Sequence, residues 1–174
     1  MELLPDLVDT QLLAAAETQR DRLALVILLG FGIRRAELLG IRVRVIDLAR
    51  RTLTIFGKGQ KHRVLPLRGR VVLTVEEYLL TPPKDPMPTQ TAHRWWYAQL
   101  RSAGLVGKGV ERGMNMHRAR HTFATELHRT SGVDLGDVQH MLGHSDIHTT
   151  EAYYGHYDLS DLERAMEQFS RGRQ

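Results

Sequence analysis

The stretch that decides the fold class is "RTLTIFGKGQKHRVLPL", Arg51 to Leu67. Two runs rich in β-branched and aliphatic residues flank the glycine-rich "GKGQK", the signature of a β-hairpin. "RVRVIDL", beginning at Arg42, is a candidate third strand just before it. Everything around this region reads as helix. "PDLVDTQLLAAAETQRDRLALVILLGFG" holds an amphipathic helix followed by one that is apolar nearly all round and therefore buried. "GIRRAELLG" is a further helical turn or two closed by Gly40. After the hairpin, Arg70 to Leu80 is helical again, "TPPKDPMPT" is a loop of breakers, and "QTAHRWWYAQLRSAG" returns to helix. Past the glycine-rich "GLVGKGVERG" come "NMHRARHTFATELHRTSG" and "DLGDVQHMLG", the latter with Asp134 as N-cap and Gly143 as stop. "SDLERAMEQF" closes the chain, with Ser160 and Glu163 at capping-box spacing. The expected class is α+β, mostly α-helical, with a small three-stranded antiparallel sheet.

The 174 residues suit a single domain with one core. Their 24 Lys and Arg against 20 Asp and Glu give a net charge of +4, which makes a nucleic-acid partner worth considering without establishing one. With no cysteine, disulfide frameworks and thiolate zinc sites are excluded. The longest apolar run, Leu23 to Ile33, is too short to span a bilayer, and "MELLPDL" lacks the basic start of a secretory signal. A soluble protein with no membrane partner is expected.

Polar chemistry concentrates in four places. In "GFGIRRAELLG", Arg34 follows a glycine-rich bend directly after a buried helix, a costly place for a guanidinium unless an anion or Glu37 meets it. Lys58 sits at the hairpin tip with Lys61 and Arg63 close behind, and the two glycines let the tip approach a surface; hairpin lysines are most often solvated decoration. In "HRARH", His117, Arg120 and His121 stand at i, i+3 and i+4 and share one helix face, which by itself is more often a solvated or hydrogen-bonded face. Last, "LGHSDIHTTEAYYGHYD", Leu142 to Asp158, crowds histidines and tyrosines together. His117 with His121 and His144 with His148 have the i, i+4 spacing that lets imidazoles share an ion. Neither pair contains the glutamate of a zinc hydrolase and no carboxylate cluster suggests a two-metal nuclease, so no metal is expected.

Taken in order, these stretches resemble the catalytic domain of the tyrosine recombinases, the phage integrase family. "GIRRAELLGI" is similar to that family's arginine box, "GKGQKHRVLPL" to its hairpin lysine, "HRARHTFAT" to its H-x-x-R box, and "LGHSDIHTTEAYYG" to its histidine and tyrosine box. Arg35 and Ala119 stand where the family usually has apolar residue and leucine, respectively. The resemblance implies the family's catalytic-domain fold over residues 1–174, with the amino-terminal core-binding domain absent from this chain. It also implies a catalytic set of Arg34, Lys58, His117, Arg120, His144 and Tyr153, with Glu37 orienting Arg34 and His121 as a nearby structural or DNA-facing group. Tyr153 stands at the family's interval of nine residues after His144, whereas Tyr154 is turned by about 100° on a helix.

The implied reaction is cleavage and rejoining of DNA through a covalent 3′-phosphotyrosine. Two arginine forks would hold the charge of the pentavalent transition state, so that no cofactor is needed. A catalytically silent DNA-binding module of the same fold is the alternative. The implied partner is double-stranded DNA, with assembly as a homo-oligomer, a tetramer, on DNA and a monomer or weak oligomer off it. A cytoplasmic, DNA-associated location follows from the same resemblance. In the tail, Leu159, Leu162, Ala165, Met166 and Phe169 form an apolar stripe that must be buried, either on a neighbouring protomer or back on its own domain.

Overall fold

A computed structural model describes residues 8–57, 62–80, 92–106, 114–131, 138, 141–143 and 163–168. Among them the element order is α1 (Val8–Ala14), α2 (Gln19–Phe31), α3 (Arg35–Gly40), β1 (Ile46–Asp47), β2 (Thr52–Phe56), β3 (His62–Pro66), α4 (Arg70–Leu79), α5 (Ala92–Ser102) and α6 (Met116–Ser131). The hairpin reading holds: β1, β2 and β3 form one antiparallel sheet in that order.

α2 is the axle of the molecule. Thr18 caps its start by accepting a hydrogen bond from the Asp21 backbone N–H at 3.0 Å. Every residue from Leu23 to Leu29 is buried, as is Phe31, so the helix has no solvent face over two turns. It packs against α1, α4 and α6 at once. α6 contributes Ala119, Phe123 and Leu127, four residues apart, and α4 contributes Val71, Val72, Val75 and Tyr78. α5 buries Trp95 and Trp96. Each indole N–H finds an acceptor, Trp95 on the Asp21 carboxylate at 2.8 Å and Trp96 on the Met114 carbonyl at 2.7 Å, which is what lets such side chains sit inside.

In the sheet, Leu53 and Ile55 face the core opposite Leu65 and Arg63. The third strand is shorter than "RVRVIDL" suggests. Val43–Val45 form a 3-10 turn, and only Ile46 and Asp47 pair with β2. The cause lies at both ends of the segment. Arg42 donates to the Leu39 and Ile41 carbonyls at 3.0 and 2.9 Å, tying it to the end of α3. Asp47 accepts from the Arg50 N–H at 2.9 Å, and Arg51 adopts φ 50°, so the chain has already begun its turn into β2.

Near the carboxyl end, residues 163–168 are helical and lie on their own chain. Ala165 and Met166 are buried, and Glu163 meets Arg68 at 2.6 Å. Within this single chain, these residues pack against their own domain. Leu159, Leu162 and Phe169, like Asp134 and Ser160, lie outside the described residues. No helix among the described residues is long and apolar enough to cross a membrane.

α2 stops at Gly32, whose φ of 55° and ψ of 33° are left-handed and whose N–H returns to the Leu28 carbonyl at 3.0 Å. A Cβ here would stand 2.6 Å from Phe123 Cδ1, in addition to the strain of a left-handed side chain. Gly32→Ala is expected to cost at least about 2 kcal/mol in denaturant unfolding. Gly40→Ala, where a Cβ meets nothing within 4 Å, should change stability by less than about 0.5 kcal/mol.

Candidate active site

The left-handed turn at Gly32 reverses the chain so that Ile33 plugs the core and Arg34 becomes the N-cap of α3. An arginine has no acceptor, so only one arm of a capping arrangement exists: the Arg34 backbone N–H donates to Glu37 Oε2 at 2.8 Å. That contact places the Glu37 carboxylate at the mouth of the bend. Arg34 Nη1 then donates to Glu37 Oε1 at 3.1 Å, and from β3 the Arg63 fork closes on both oxygens, Nη1 to Oε1 at 2.8 Å and Nη2 to Oε2 at 2.9 Å. Four donors therefore surround one carboxylate that is only 6% exposed. Burial pushes the Glu37 carboxyl up, but the hydrogen bonds from Arg63 and from the Arg34 backbone, with the Arg63 charge, outweigh it and hold the group below its ordinary value of 4.5.

On the other side of the bend stands Arg120 of α6, also 6% exposed. Its Nη1 donates to the Gly32 carbonyl at 2.8 Å and its Nη2 to the Leu142 carbonyl at 2.7 Å. The same Leu142 carbonyl accepts from Arg34 Nη1 at 3.3 Å, and Arg34 Nη2 donates to the Gly143 carbonyl. Arg34 and Arg120, 86 residues apart in the chain, are thus brought side by side on one carbonyl oxygen. Gly143 has φ 65°, and a Cβ on it would stand 2.9 Å from Arg63 Nη1 and 3.3 Å from Arg34 Nη1, so only glycine passes this close to the two guanidiniums.

Three guanidinium groups against one carboxylate leave a surplus of two positive charges. Arg120 registers it: burial first, then the charge of Arg34, pushes its guanidinium down to about 10, with Glu37 opposing and Arg63 adding to the effect. At neutral pH it stays protonated. A bound anion would relieve this repulsion. The Arg34 side chain, 38% exposed against 12% for Arg63, is the one turned outward.

Of the candidate residues, Arg34, Glu37 and Arg120 come together as described. His117 and His121 lie on α6 with Arg120, His117 exposed and His121 half-buried. Among the described residues no cluster of His, Cys, Asp or Glu suits a metal ion. Lys58, His144 and Tyr153 lie outside the described residues. The member that sequence reading missed is Arg63, noted there only as standing close behind the hairpin lysine. The signal was present: alternation along β3 puts Arg63 on the same face as Leu65, the core face, where an arginine needs a carboxylate.

Comparison with known proteins identifies the family. Residues 4–159 match the sequence profile of the phage integrase family. The tyrosine recombinase XerC of Serratia marcescens is 35% identical over 153 residues, covering 82% of this chain and 50% of that protein. XerD of Staphylococcus saprophyticus is 30% identical over 176 residues, covering 94% and 59%. Among solved structures, the integrase from mycobacterium phage Brujita superposes with a TM-score of 0.73 at 26% identity, covering 98% of this chain and 57% of that one. XerH site-specific recombinase bound to difH substrate gives 0.62 at 25% identity, covering 94% and 53%. The fold is thus that of the tyrosine recombinase catalytic domain, and the chain belongs to the phage integrase family. It spans between half and about three fifths of the length of these relatives.

Since the folded pKa of Glu37 lies below 4.5, its stabilising contribution is fully present above that value and is lost as pH falls through the folded pKa. Glu37→Gln should cost about 3 kcal/mol at neutral pH, because it leaves buried guanidiniums without their counter-charge. Against wild type, the gap should narrow below pH 4.5. Urea unfolding at pH 7 and at pH 3.5 to 4 checks both the size and the sign.

Proposed function

We propose that this chain carries the strand-cleaving and rejoining site of a site-specific DNA recombinase or integrase, working through a covalent 3′-phosphotyrosine at Tyr153. The observation that carries the reading is the convergence of Arg34 and Arg120 on the Leu142 carbonyl, with a surplus of positive charge and Arg34 turned outward. Two adjacent planar forks suit the non-bridging oxygens of a phosphodiester, whose charge grows as the phosphorus becomes pentavalent.

In this reading the Tyr153 oxygen attacks phosphorus, the bond to the 5′-oxygen breaks, and the tyrosine becomes esterified to the 3′-phosphate. Lys58 protonates the leaving 5′-oxygen and His117 assists proton transfer, while His144, which follows Gly143 directly in the chain, donates a hydrogen bond to the phosphate. His121 stays a neighbouring structural or DNA-facing group. Attack by a free 5′-hydroxyl reverses the step and reseals the strand. One phosphodiester replaces another of similar energy, so neither nucleotide nor metal is required.

Double-stranded DNA is the partner in this reading, supported by the net charge of +4 and by the XerH structure, in which that recombinase is bound to its difH substrate. Assembly is as a tetramer on DNA, with a monomer or weak oligomer off it.

The test uses a pool of randomised duplexes nicked near the centre, so that a short 5′-hydroxyl fragment diffuses away after cleavage and the protein stays attached. Wild type should give an SDS-stable DNA adduct in excess EDTA, with the phosphate on Tyr153 by peptide fragmentation. Tyr153→Phe should give none, and Tyr154→Phe should still react. Arg34→Lys should slow adduct formation by about a hundredfold to a thousandfold although charge is kept, because an ammonium cannot make the two-pronged contact. A strict requirement for a divalent ion, or a label on Tyr154 or Tyr157, would overturn the mechanism. Non-covalent binding of an intact duplex, followed by anisotropy, should weaken steeply with salt, since phosphate contacts dominate it.

A further inference from the structure

We propose that Arg63 is a positioning residue for this reaction: through Glu37 it holds the Arg34 guanidinium in its outward pose and leaves that guanidinium with charge to spare. The inference rests on the function proposed above, and it begins from how one carboxylate is shared. Arg63 takes both Glu37 oxygens with both of its terminal nitrogens, at 2.8 and 2.9 Å. Arg34 is left with a single end-on side-chain contact to that group, at 3.1 Å. Its second terminal nitrogen is thereby directed to the Gly143 carbonyl instead.

This division has an electrostatic and a geometric effect. A carboxylate paired to Arg34 alone would cancel its charge, and arginine and carboxylate left to themselves favour the bidentate fork. Without Arg63, Glu37 is free to turn, take both Arg34 nitrogens and draw them off the Leu142 and Gly143 carbonyls. With Arg63 in place the carboxylate plane is fixed from the sheet side. Arg63 is itself anchored, since Ile55, its partner across the β2–β3 ladder, is 1% exposed. The contact at Gly143 limits movement further, because the glycine backbone passes close to both guanidiniums.

Stability accounts for only part of Arg63, which supplies two of the four donors to the buried Glu37 carboxylate. Its Nε is buried and finds no hydrogen-bond partner among the described residues, which carries a desolvation cost. A methionine of similar length would avoid that cost, but it would leave two donors missing at the buried Glu37 carboxylate, itself a destabilising change. What methionine could not do is divide the charge of Glu37.

Two measurements on the full chain test the idea. The first needs no DNA: the Arg34 Nε–Hε signal in a 15N-labelled protein, assigned by its loss in Arg34→Lys. It should shift in Arg63→Met, and also in Arg63→Lys, which keeps the charge but cannot engage both oxygens. An unchanged Arg34 signal in a folded Arg63 variant would overturn the proposal. If Arg63→Met does not fold, Arg63→Lys carries both measurements.

The second is a single-turnover cycle on the nicked duplex that wild type selects from the pool, at saturating protein. Arg63→Met should slow adduct formation by about a hundredfold, the size expected for a misplaced catalytic group. In the Arg34→Lys background the same change should cost less than about twofold, because the group it positions is already gone. Fully additive losses would sink the proposal. Should wild type form no adduct at all, the proposed function falls, while the Arg34 signal still decides whether Arg63 positions that side chain.

Discussion

One buried carboxylate organises the site. Glu37 is held by a backbone N–H and a side chain from Arg34 on one side and by the Arg63 fork on the other, and through it α3, the bend after α2, and strand β3 become one rigid unit. A buried carboxylate is costly in isolation and tolerable only when its lone pairs are met by donors. The same requirement that forces the arginines to come to Glu37 therefore determines where Arg34 can point.

The carbonyl groups complete what the carboxylate begins. Gly32 and Leu142 each offer a backbone oxygen to Arg120, and Leu142 offers its own to Arg34 as well. Both carbonyls lie at or beside left-handed glycines, Gly32 and Gly143, where the chain leaves a helical path and its oxygens have no partner within the helix. Helix ends are thus used as anchors for guanidinium groups that must be buried yet stay charged. Neutral dipoles satisfy the donors without cancelling the charge, which is the condition an anion-binding site requires.

The surplus charge is stored by the core. α2 is enclosed by α1, α4 and α6, so the bend at its end cannot relax to let Arg34 and Arg120 move apart. Burial first, and then repulsion from Arg34, lowers the proton affinity of Arg120. Rigidity and the local surplus of positive charge then have the same origin, the packing of Phe31, Ile33 and Phe123 around the Gly32 turn.

Much was legible from the amino-acid sequence. Hydrophobic period located the helices and the hairpin, because helical and strand repeats leave different apolar spacings over segments this long. Glycine placement located the bend before Arg34 and the helix end at Gly40, and the spacing of Arg34 and Glu37 made them partners one turn apart, since i to i+3 contacts are set within a single helix turn. Local rules stop at contacts between segments. That "RVRVIDL" yields two strand residues instead of a full strand was decided by Arg42 and Asp47 bonding to neighbouring backbone. That Arg63 belongs to Glu37, 26 residues away, and that Arg34 and Arg120 share the Leu142 carbonyl, followed only from the packing of hairpin, bend and α6 around one core. A side chain's type and its position within an element are written in the chain; which buried charge it must answer is settled only when distant elements exclude water between them.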